Sequence, residues 1–302
     1  MNLNPSYTAI VDAYAQYLKT LGFSESTVYN YPKMIYYFFE YLENKGVYPV
    51  THLTRAHIDD YFIHLQTRQS MRRNKALSTA HLNKNFHAVD KLLEYLNQME
   101  CPNVPSPTNY RILETKEQIE AKVKALTQEE IQTVYRSVPK LFRGLPFKES
   151  EPRHALATLI LDLCYGCGLR RSETYALLIE DIDFDKKILL VRQGKGYKDR
   201  YVPLSEKVAG RIKVFIYQHR KAFNVQHNRV IPLCAESMAY YIKQLNKESQ
   251  LDKPFRLHTL RHSIATHLLQ NGMVIEQIAR FLGHSTLDST QVYTHLINGD
   301  EQ

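Results

Sequence analysis

The sequence has no long apolar run and only four cysteines, and these shortages exclude two classes of protein. No apolar stretch approaches the ~20 residues that a membrane-spanning helix needs, so we expect no membrane partner. The N-terminus lacks a basic segment followed by an apolar one, so no signal peptide is visible and a cytoplasmic protein is predicted. Without export, four cysteines do not predict a disulfide framework.

Patterns typical of metal sites are also scarce. Cys164 and Cys167 form a C-x-x-C pair, but no second pair follows at the spacing of a zinc finger. Their place beside an apolar run favours two small core residues over a zinc half-site or a redox pair. His258 and His262 are four residues apart, as helical zinc ligands are, yet no third ligand is evident. We therefore predict no metal site and no cofactor.

The chain is basic, and its charge is unevenly spread. Lysine and arginine number 39 against 31 acidic residues, which gives a net charge of +8 and a pI near 9.1. Residues 1–125 carry +2 and residues 126–302 carry +6. Basic side chains displace the counterions condensed on nucleic acid, so the balance favours a polyanionic partner. The second half is predicted to be the stronger phosphate binder.

Helical periodicity dominates the first hundred residues. Apolar residues recur at helical spacing in four segments, and Ser24 or Ser26 is suited to cap the second of them. Thr54 and Ser78 are suited to cap the third and the fourth. Three prolines between positions 101 and 108 then break the pattern. We predict a helical domain over residues 1–100 and a stiff, Pro-rich linker over residues 101–125.

The second domain, predicted over residues 126–302, is mainly helical with one β insertion. Thr127 and Glu130 form a capping box at the start of its first helix. Residues 187–191 favour a strand, the glycines on either side of Lys195 turn the chain, and residues 199–204 return as a second strand. The predicted fold class is therefore mainly α with a small β-hairpin or sheet.

Four short segments of this domain carry side chains suited to phosphoryl transfer. They are G-C-G-L-R-R-S-E at 166–173, G-K-G-Y-K-D-R at 194–200, H-T-L-R-H-S at 258–263, and L-G-H at 282–284 followed by Tyr293. Arginine offers a planar, permanently charged fork to phosphate oxygens that gain charge in the transition state. Lysine or histidine can protonate a leaving alkoxide, and tyrosine can serve as a covalent nucleophile.

With these four segments in this order, the sequence resembles the tyrosine recombinase family of phage-type integrases, Xer-like recombinases and transposon integrases. The spacing is similar too: 88 residues separate Arg170 from His258, and 32 separate Arg261 from Tyr293. The resemblance is strong over about residues 126–296 and weaker over the N-terminal helices. It implies an N-terminal helical core-binding domain of the SAM-like type that binds DNA. It also implies a C-terminal α+β catalytic domain.

The resemblance also implies roles for individual residues. Arg170 and Arg261 would clamp the scissile phosphate, and Lys195 would protonate the leaving 5′ oxygen. His258 would donate a hydrogen bond to the phosphate and assist proton transfer, and His284 would be a further phosphate donor. Glu173 would orient Arg170 or His258. Tyr293 would form a 3′-phosphotyrosyl link, which the hydroxyl of a partner strand then reverses without ATP. One departure from the family pattern is Arg171, which stands where an apolar residue is more usual.

The expected partner is double-stranded DNA that carries a specific recombination site. The family implies two protomers on each site and four in the synapse, and an accessory protein is left open. We name as DNA-contact candidates the basic side chains Arg68, Arg72, Arg73, Lys75, Lys84, Arg171, Lys198 and Arg200. For Arg200 the alternative is pairing with Asp199, and for each of the others it is a solvated surface charge.

Three other functions compete with a site-specific recombinase. A type IB topoisomerase uses similar chemistry without choosing a sequence, but the two-domain layout argues against it. A non-catalytic DNA-binding regulator would share the basic surface, but it would have no reason to keep Tyr293 and Lys195. A metal-dependent nuclease would need a carboxylate cluster. Within the family, integration, excision and chromosome-dimer resolution stay open.

Overall fold

The structure of the chain is a computed structural model that describes residues 3–69, 76–113, 125–192 and 199–283. The chain divides into two compact units, residues 1–119 and residues 120–302, and each is described by itself. No helix within the described ranges is both long and apolar enough to cross a membrane.

The described part of the first unit is built from helices that begin at capping side chains. The helices are α1 (Pro5–Thr20), α2 (Glu25–Asn44), α3 (Arg55–Thr67) and α4 (Thr79–Gln98), with a 3₁₀ turn at Val50–His52. Ser24, Thr54 and Ser78 are the N-caps of α2, α3 and α4, and each side chain accepts a backbone N–H of the first turn. The apolar faces meet in one core, where the rings of Tyr7 and Phe39 stack 4.1 Å apart.

The first part of the predicted linker is fixed against α4 rather than standing free. Residues 101–113 contain no helix or strand. The buried carboxylate of Asp90 on α4 accepts hydrogen bonds from the backbone N–H and the hydroxyl of Thr108, at 2.7 and 2.9 Å. Asn83 exchanges two hydrogen bonds of 2.9 Å with the backbone of Ile112. These side chains form hydrogen bonds with backbone groups of the segment, which has no neighbouring strand to pair with.

The second unit is mainly helical around a separate core. Its described helices are α5 (Gln128–Ser137), α6 (Phe147–Leu161), α7 (Arg171–Ala176), α8 (Glu206–Val214), α9 (Ala235–Ser249), α10 (Leu257–Gln270) and α11 (Ile275–Leu282). Shorter 3₁₀ turns lie at Val138–Lys140, Ile179–Asp181 and Arg220–Phe223, and π-helical turns at Asp162–Gly166 and Phe215–His219. The predicted capping box is present: Thr127 accepts from the N–H of Glu130 at 3.2 Å, and the Glu130 carboxylate accepts in return at 2.7 Å.

A three-stranded antiparallel sheet interrupts the helices of the second unit. Its strands are β1 (Ile182–Asp183), β2 (Ile188–Val191) and β3 (Arg200–Pro203), in the order β1-β2-β3. The register pairs Leu189 with Val202 and Val191 with Arg200, and all four side chains are buried. Arg200 therefore stands on the core face of the sheet, where strand alternation normally places apolar residues. The predicted hairpin and the predicted fold class are confirmed, and β1 is an addition to them.

Candidate active site

A π-helical turn delivers the chain to Arg170. At the end of α6 the backbone widens over Asp162–Gly166, and the N–H of Cys167 donates to the carbonyl of Asp162 at 2.9 Å. The N–H of Leu169 then donates to the carbonyl of Leu163 at 3.0 Å, which folds the G-C-G-L segment back beneath the helix. Single π turns of this kind are frequent at functional sites. Arg170 emerges at the N-cap of α7 in an extended conformation.

A buried carboxylate anchors this turn from the other side. Asp162 is fully buried and accepts hydrogen bonds from the hydroxyl of Tyr135 at 2.8 Å and from Nε of Arg211 at 2.7 Å. The carboxylate oxygen that accepts from Tyr135, Oδ1, also accepts a hydrogen bond from Nη2 of Arg211. Burial raises the pKa of Asp162, and the positive charge of Arg211 opposes that change. Helices α5 and α8 are thus tied to the turn that precedes Arg170.

Gly168 is required by both its backbone conformation and its surroundings. Its φ is +62°, a left-handed value that residues with a Cβ rarely adopt. A Cβ built on Gly168 would lie 2.9 Å from side-chain carbons of both Phe281 and Leu282. The glycine therefore lets the loop before Arg170 approach the last turn of α11.

Gly168→Ala is expected to lower the free energy of unfolding of the second unit by about 1–3 kcal/mol, because the methyl group meets both backbone strain and overpacking. Urea denaturation of the two proteins measures the difference. The control is Gly210→Ala in α8, where nothing lies within 4 Å of the added carbon. That control is expected to be neutral or slightly stabilising. Equal midpoints for wild type and Gly168→Ala would contradict this view of the loop.

Glu173 is the centre of a cluster of three arginines. Its carboxylate accepts a hydrogen bond from Nη1 of Arg170 at 2.6 Å and from Nη2 of Arg200 at 2.8 Å. Nη1 of Arg261 lies 3.5 Å from the same carboxylate. Only 9% of the Glu173 side chain is exposed, and Arg261 is 2% exposed. Two arginines from different predicted motifs, Arg170 and Arg261, are therefore brought to one carboxylate.

The same three arginines hold the end of α11. The carbonyls of three consecutive residues accept from them: Phe281 from Arg200 at 3.0 Å, Leu282 from Arg261 at 2.6 Å, and Gly283 from Arg170 at 3.0 Å. The last carbonyls of a helix have no partner within it, and they carry the negative end of its dipole. Gly283 turns left-handed at φ +65° and presents these carbonyls to the guanidinium groups.

The charges of the cluster lower the pKa values of its other members. Burial alone would raise the pKa of Glu173, but hydrogen bonds from Arg200 and Arg170 outweigh it and lower the value to about 2. Partial desolvation, together with the positive charges of Arg261 and Arg170, lowers the pKa of His258. At neutral pH the described residues of the site therefore include a carboxylate anion, three arginine cations and a histidine biased towards its neutral form.

His258 lies at the start of α10, one turn before Arg261, and keeps an exposed surface. Its ring meets that of His262 edge-on, with centroids 4.4 Å apart. Burial and the neighbouring His258 lower the pKa of His262 to about 4. His267, further along the helix, is buried, and its Nδ1 lies 2.9 Å from the hydroxyl of Tyr165. His262 and His267 thus have packing partners of their own.

The remaining predicted site residues fall into three groups. Arg171 is exposed on α7, whereas Arg200 is 9% exposed and paired with Glu173. Arg68 is the C-cap of α3 and Lys84 lies in α4. Desolvation lowers the pKa of His81, and the positive charges of Lys84 and Arg68 lower it further. Gln69, which follows α3, and Ala76, which precedes α4, form an isolated antiparallel bridge. Outside the described residues lie Arg72, Arg73, Lys75, Lys195, Lys198, His284 and Tyr293.

The cysteine pair is part of the core. Cys164 and Cys167 are both buried, and Sγ of Cys164 lies 3.6 Å from the hydroxyl of Thr174. Burial raises the pKa of both thiols, which keeps them protonated and unreactive. This agrees with the prediction of two small core residues. Among the described residues, no group of three or more His, Cys, Asp or Glu side chains is placed to hold a metal ion.

Comparison with known proteins gives consistent relatives over nearly the whole chain. Residues 124–299 match the phage integrase family. The chain is 26% identical over 299 residues to tyrosine recombinase XerC of Lacticaseibacillus casei, covering 95% of this chain and 93% of that protein. It is 28% identical over 286 residues to tyrosine recombinase XerD of Halalkalibacterium halodurans, covering 91% and 88%.

Two solved structures share the fold. One is the XerH site-specific recombinase bound to its difH substrate, with a TM-score of 0.66, 16% identity, and coverage of 100% of this chain and 97% of that chain. The other is the Tn1549 transposon integrase in complex with transposon right-end DNA, with a TM-score of 0.66, 17% identity and coverage of 94% of each chain. The relatives confirm the predicted enzyme class, a tyrosine-type site-specific recombinase. Through the match over residues 124–299, which is more than half of its length, the chain belongs to the phage integrase family.

Proposed function

We propose that the protein cleaves and rejoins DNA at a specific site through a covalent phosphotyrosine at Tyr293. The observation that carries the proposal is the convergence of Arg170 and Arg261 on the carboxylate of Glu173. Two preorganised arginine forks from distant segments suit a phosphodiester, whose non-bridging oxygens gain charge as the phosphorus is attacked. Glu173 limits the freedom of both forks before DNA arrives, which lowers the reorganisation needed in the reaction.

In the proposed reaction the hydroxyl oxygen of Tyr293 attacks the scissile phosphorus. The bond between phosphorus and the 5′ oxygen breaks, a 3′-phosphotyrosyl ester forms, and Lys195 gives the leaving oxygen its proton. His258, which is biased towards its neutral form, takes up the proton that the Tyr293 hydroxyl loses. His258 and His284 also donate hydrogen bonds to the phosphate. Attack by the 5′ hydroxyl of a partner strand reverses each step, so the number of high-energy bonds is unchanged and no ATP is consumed. Arginine and lysine carry the charge that a metal ion supplies in many nucleases.

The proposed partner is double-stranded DNA in the cytoplasm. The solved XerH and Tn1549 integrase structures hold DNA, and the basic second half of this chain fits the same class of partner. We assign residues 1–100 to a DNA-binding domain, 101–125 to the linker and 126–302 to the catalytic domain. Two protomers would occupy one site and four the synapse, with an accessory protein as a further component.

Within the first unit we propose that the end of α3 and the start of α4 contact the DNA backbone. Arg68 is the C-cap of α3 and Lys84 lies early in α4, and the positive charge of each lowers the pKa of His81. The sequence between them carries three more basic residues: Arg72, Arg73 and Lys75. Phosphate contacts of this kind fix the position of a protein on the duplex without reading its sequence.

A strand-exchange assay separates this function from its competitors. The substrate is a plasmid with two copies of a site selected from random DNA by repeated binding, in buffer with EDTA and without ATP. The expected product is a plasmid whose segment between the sites is inverted or excised. Relaxation without exchange would favour the topoisomerase function, and binding without any cleavage would favour the regulator. Cleavage that requires a divalent cation would favour the nuclease.

A further inference from the structure

Arg200 is a charged residue on the buried face of a strand. It opens β3 opposite Val191, and the next inward residue, Val202, is fully buried in the core. The side chain of Arg200 is only 9% exposed. An arginine taken out of water is costly unless its donors are satisfied by charged or polar partners. Its position therefore calls for an internal partner.

The guanidinium group of Arg200 joins three segments of the second unit. Nη1 and Nη2 donate to the two carboxylate oxygens of Glu173 on α7, at 3.1 and 2.8 Å. Nε donates to the carbonyl of Phe281 in the last turn of α11, at 3.0 Å. A bidentate arginine–carboxylate pair is strongly directional, so it fixes the plane of the Glu173 carboxylate. That carboxylate in turn holds Arg170 at 2.6 Å.

The geometry also weighs against a direct role in binding DNA. Nε, Nη1 and Nη2 of Arg200 each donate to an internal acceptor, so every nitrogen of its guanidinium group is already engaged within the second unit. Arg192, the residue after β2, offers the contrast. Its side chain is 56% exposed and pairs with Asp181 at 2.6 Å.

We propose that Arg200 is a positioning residue of the active site, which orients the arginine clamp through Glu173 and the end of α11 without touching DNA. This inference rests on the proposed function, because the clamp matters only if Arg170 and Arg261 hold the scissile phosphate. Lysine at position 200 keeps the charge but loses the planar fork, so it cannot bridge Glu173 and Phe281 in the same way.

The kinetic test compares wild type with Arg200→Gln, Arg200→Lys and the control Arg192→Gln. Single-turnover cleavage at saturating protein is expected to slow about 10- to 100-fold in Arg200→Gln, since small misplacements of reacting groups cost rates of this order. Arg200→Lys is expected to recover part of the loss, and Arg192→Gln to cleave at the wild-type rate. The Kd for the site and its salt dependence are expected to stay within about two-fold of wild type, because no phosphate contact is removed. Assays run well below each melting temperature, so that unfolding does not contribute.

A DNA-contact role would give the opposite pattern and overturn the proposal. Binding would weaken, the slope of log Kd against log salt would fall by about one, and cleavage at saturation would be normal. A double variant with Glu173→Gln gives a further check. If Arg200 and Glu173 act as one unit, the double variant should lose no more cleavage activity than the more severe of the two single variants. Additive losses would mean that Arg200 acts by another route.

Hydrogen exchange tests the positioning role without any reaction. Arg200→Gln is expected to speed exchange in peptides covering residues 171–176 and 275–283, while Arg192→Gln leaves both peptides unchanged. Unchanged exchange in Arg200→Gln would overturn the proposal. If wild type failed to cleave DNA, the proposed function would fall, but the exchange result would still decide whether Arg200 holds these two helices.

Discussion

Tyr293→Phe is expected to abolish the covalent protein–DNA adduct while leaving DNA binding intact. The substitution removes one oxygen atom, the proposed nucleophile, and leaves the charge of the phosphate-binding surface unchanged. Loss of a nucleophile costs at least about 10⁴-fold in rate where the residues act as a unit. The measurement is adduct formation on a nicked substrate, resolved under denaturing conditions, beside the Kd from a filter or gel-shift titration.

The control for this prediction is Tyr217→Phe. Tyr217 is 65% exposed in the π-helical turn after α8, and the chemistry proposed for the site does not involve it. The Tyr217→Phe variant should form the covalent protein–DNA adduct at the wild-type rate. An adduct that persists in Tyr293→Phe would assign the nucleophile to another residue, and loss of binding in that variant would show that the hydroxyl serves mainly in recognition.

Glu173→Gln is expected to have the second-largest effect, on stability as well as on cleavage. The carboxylate is the shared anionic partner of three guanidinium groups, and Arg261 among them is 2% exposed. Removing one partner of a buried ion pair leaves uncompensated buried charge, so we expect the free energy of unfolding to fall by about 3 kcal/mol. Cleavage should slow by about 10- to 100-fold in protein that remains folded, because Arg170 loses its fixed orientation.

The stability difference is expected to depend on pH in a defined direction. The pKa of Glu173 is lowered from 4.5 to about 2 in the folded protein. A carboxyl group with a lowered folded pKa contributes stability that is fully present above its unfolded pKa. That contribution is lost as the pH falls from about 4.5 towards 2. The gap between wild type and Glu173→Gln should therefore be constant near neutral pH and shrink in acid, as measured by urea denaturation at several pH values.

Glu180→Gln is the matched control for these measurements. Glu180 lies seven residues further along, is 56% exposed, and has Arg192 3.9 Å away. A surface pair of this kind contributes about 0–1 kcal/mol, so stability should hardly change. Equal losses in both variants would mean that the arginine cluster contributes no more than a surface pair.

Local features of the fold could be predicted from the sequence because they depend on residues that are close together in the chain. Ser78 and Thr127 cap helices through groups three residues away, and both caps are present in the structure. The hairpin was predicted from β-forming runs around a glycine turn, and β2 and β3 lie within one residue of the predicted ranges at the described ends. The resemblance to tyrosine recombinases rested on four motifs in order, and the family match bears it out.

Features that depend on contacts between distant segments could not be predicted from the sequence. Arg200 was predicted as a DNA contact or a partner of Asp199, because nothing in the local sequence shows that Glu173, 27 residues earlier, lies against the inner face of β3. Strand alternation was the one available signal, since Arg200 and Val202 share a face. The π turn at Asp162 was also missed, because a run of apolar residues looks the same in a regular helix and in a widened one.

The most direct test of the central claim is to identify the residue that carries the DNA. Wild-type protein is reacted with a nicked site in EDTA, denatured, digested with protease and nuclease, and its peptides are sequenced by mass spectrometry. We predict a nucleotide attached through a 3′-phosphate to Tyr293 in the peptide that follows Gly283. A nucleotide on any other residue, or cleaved DNA with no attached peptide, would contradict the mechanism.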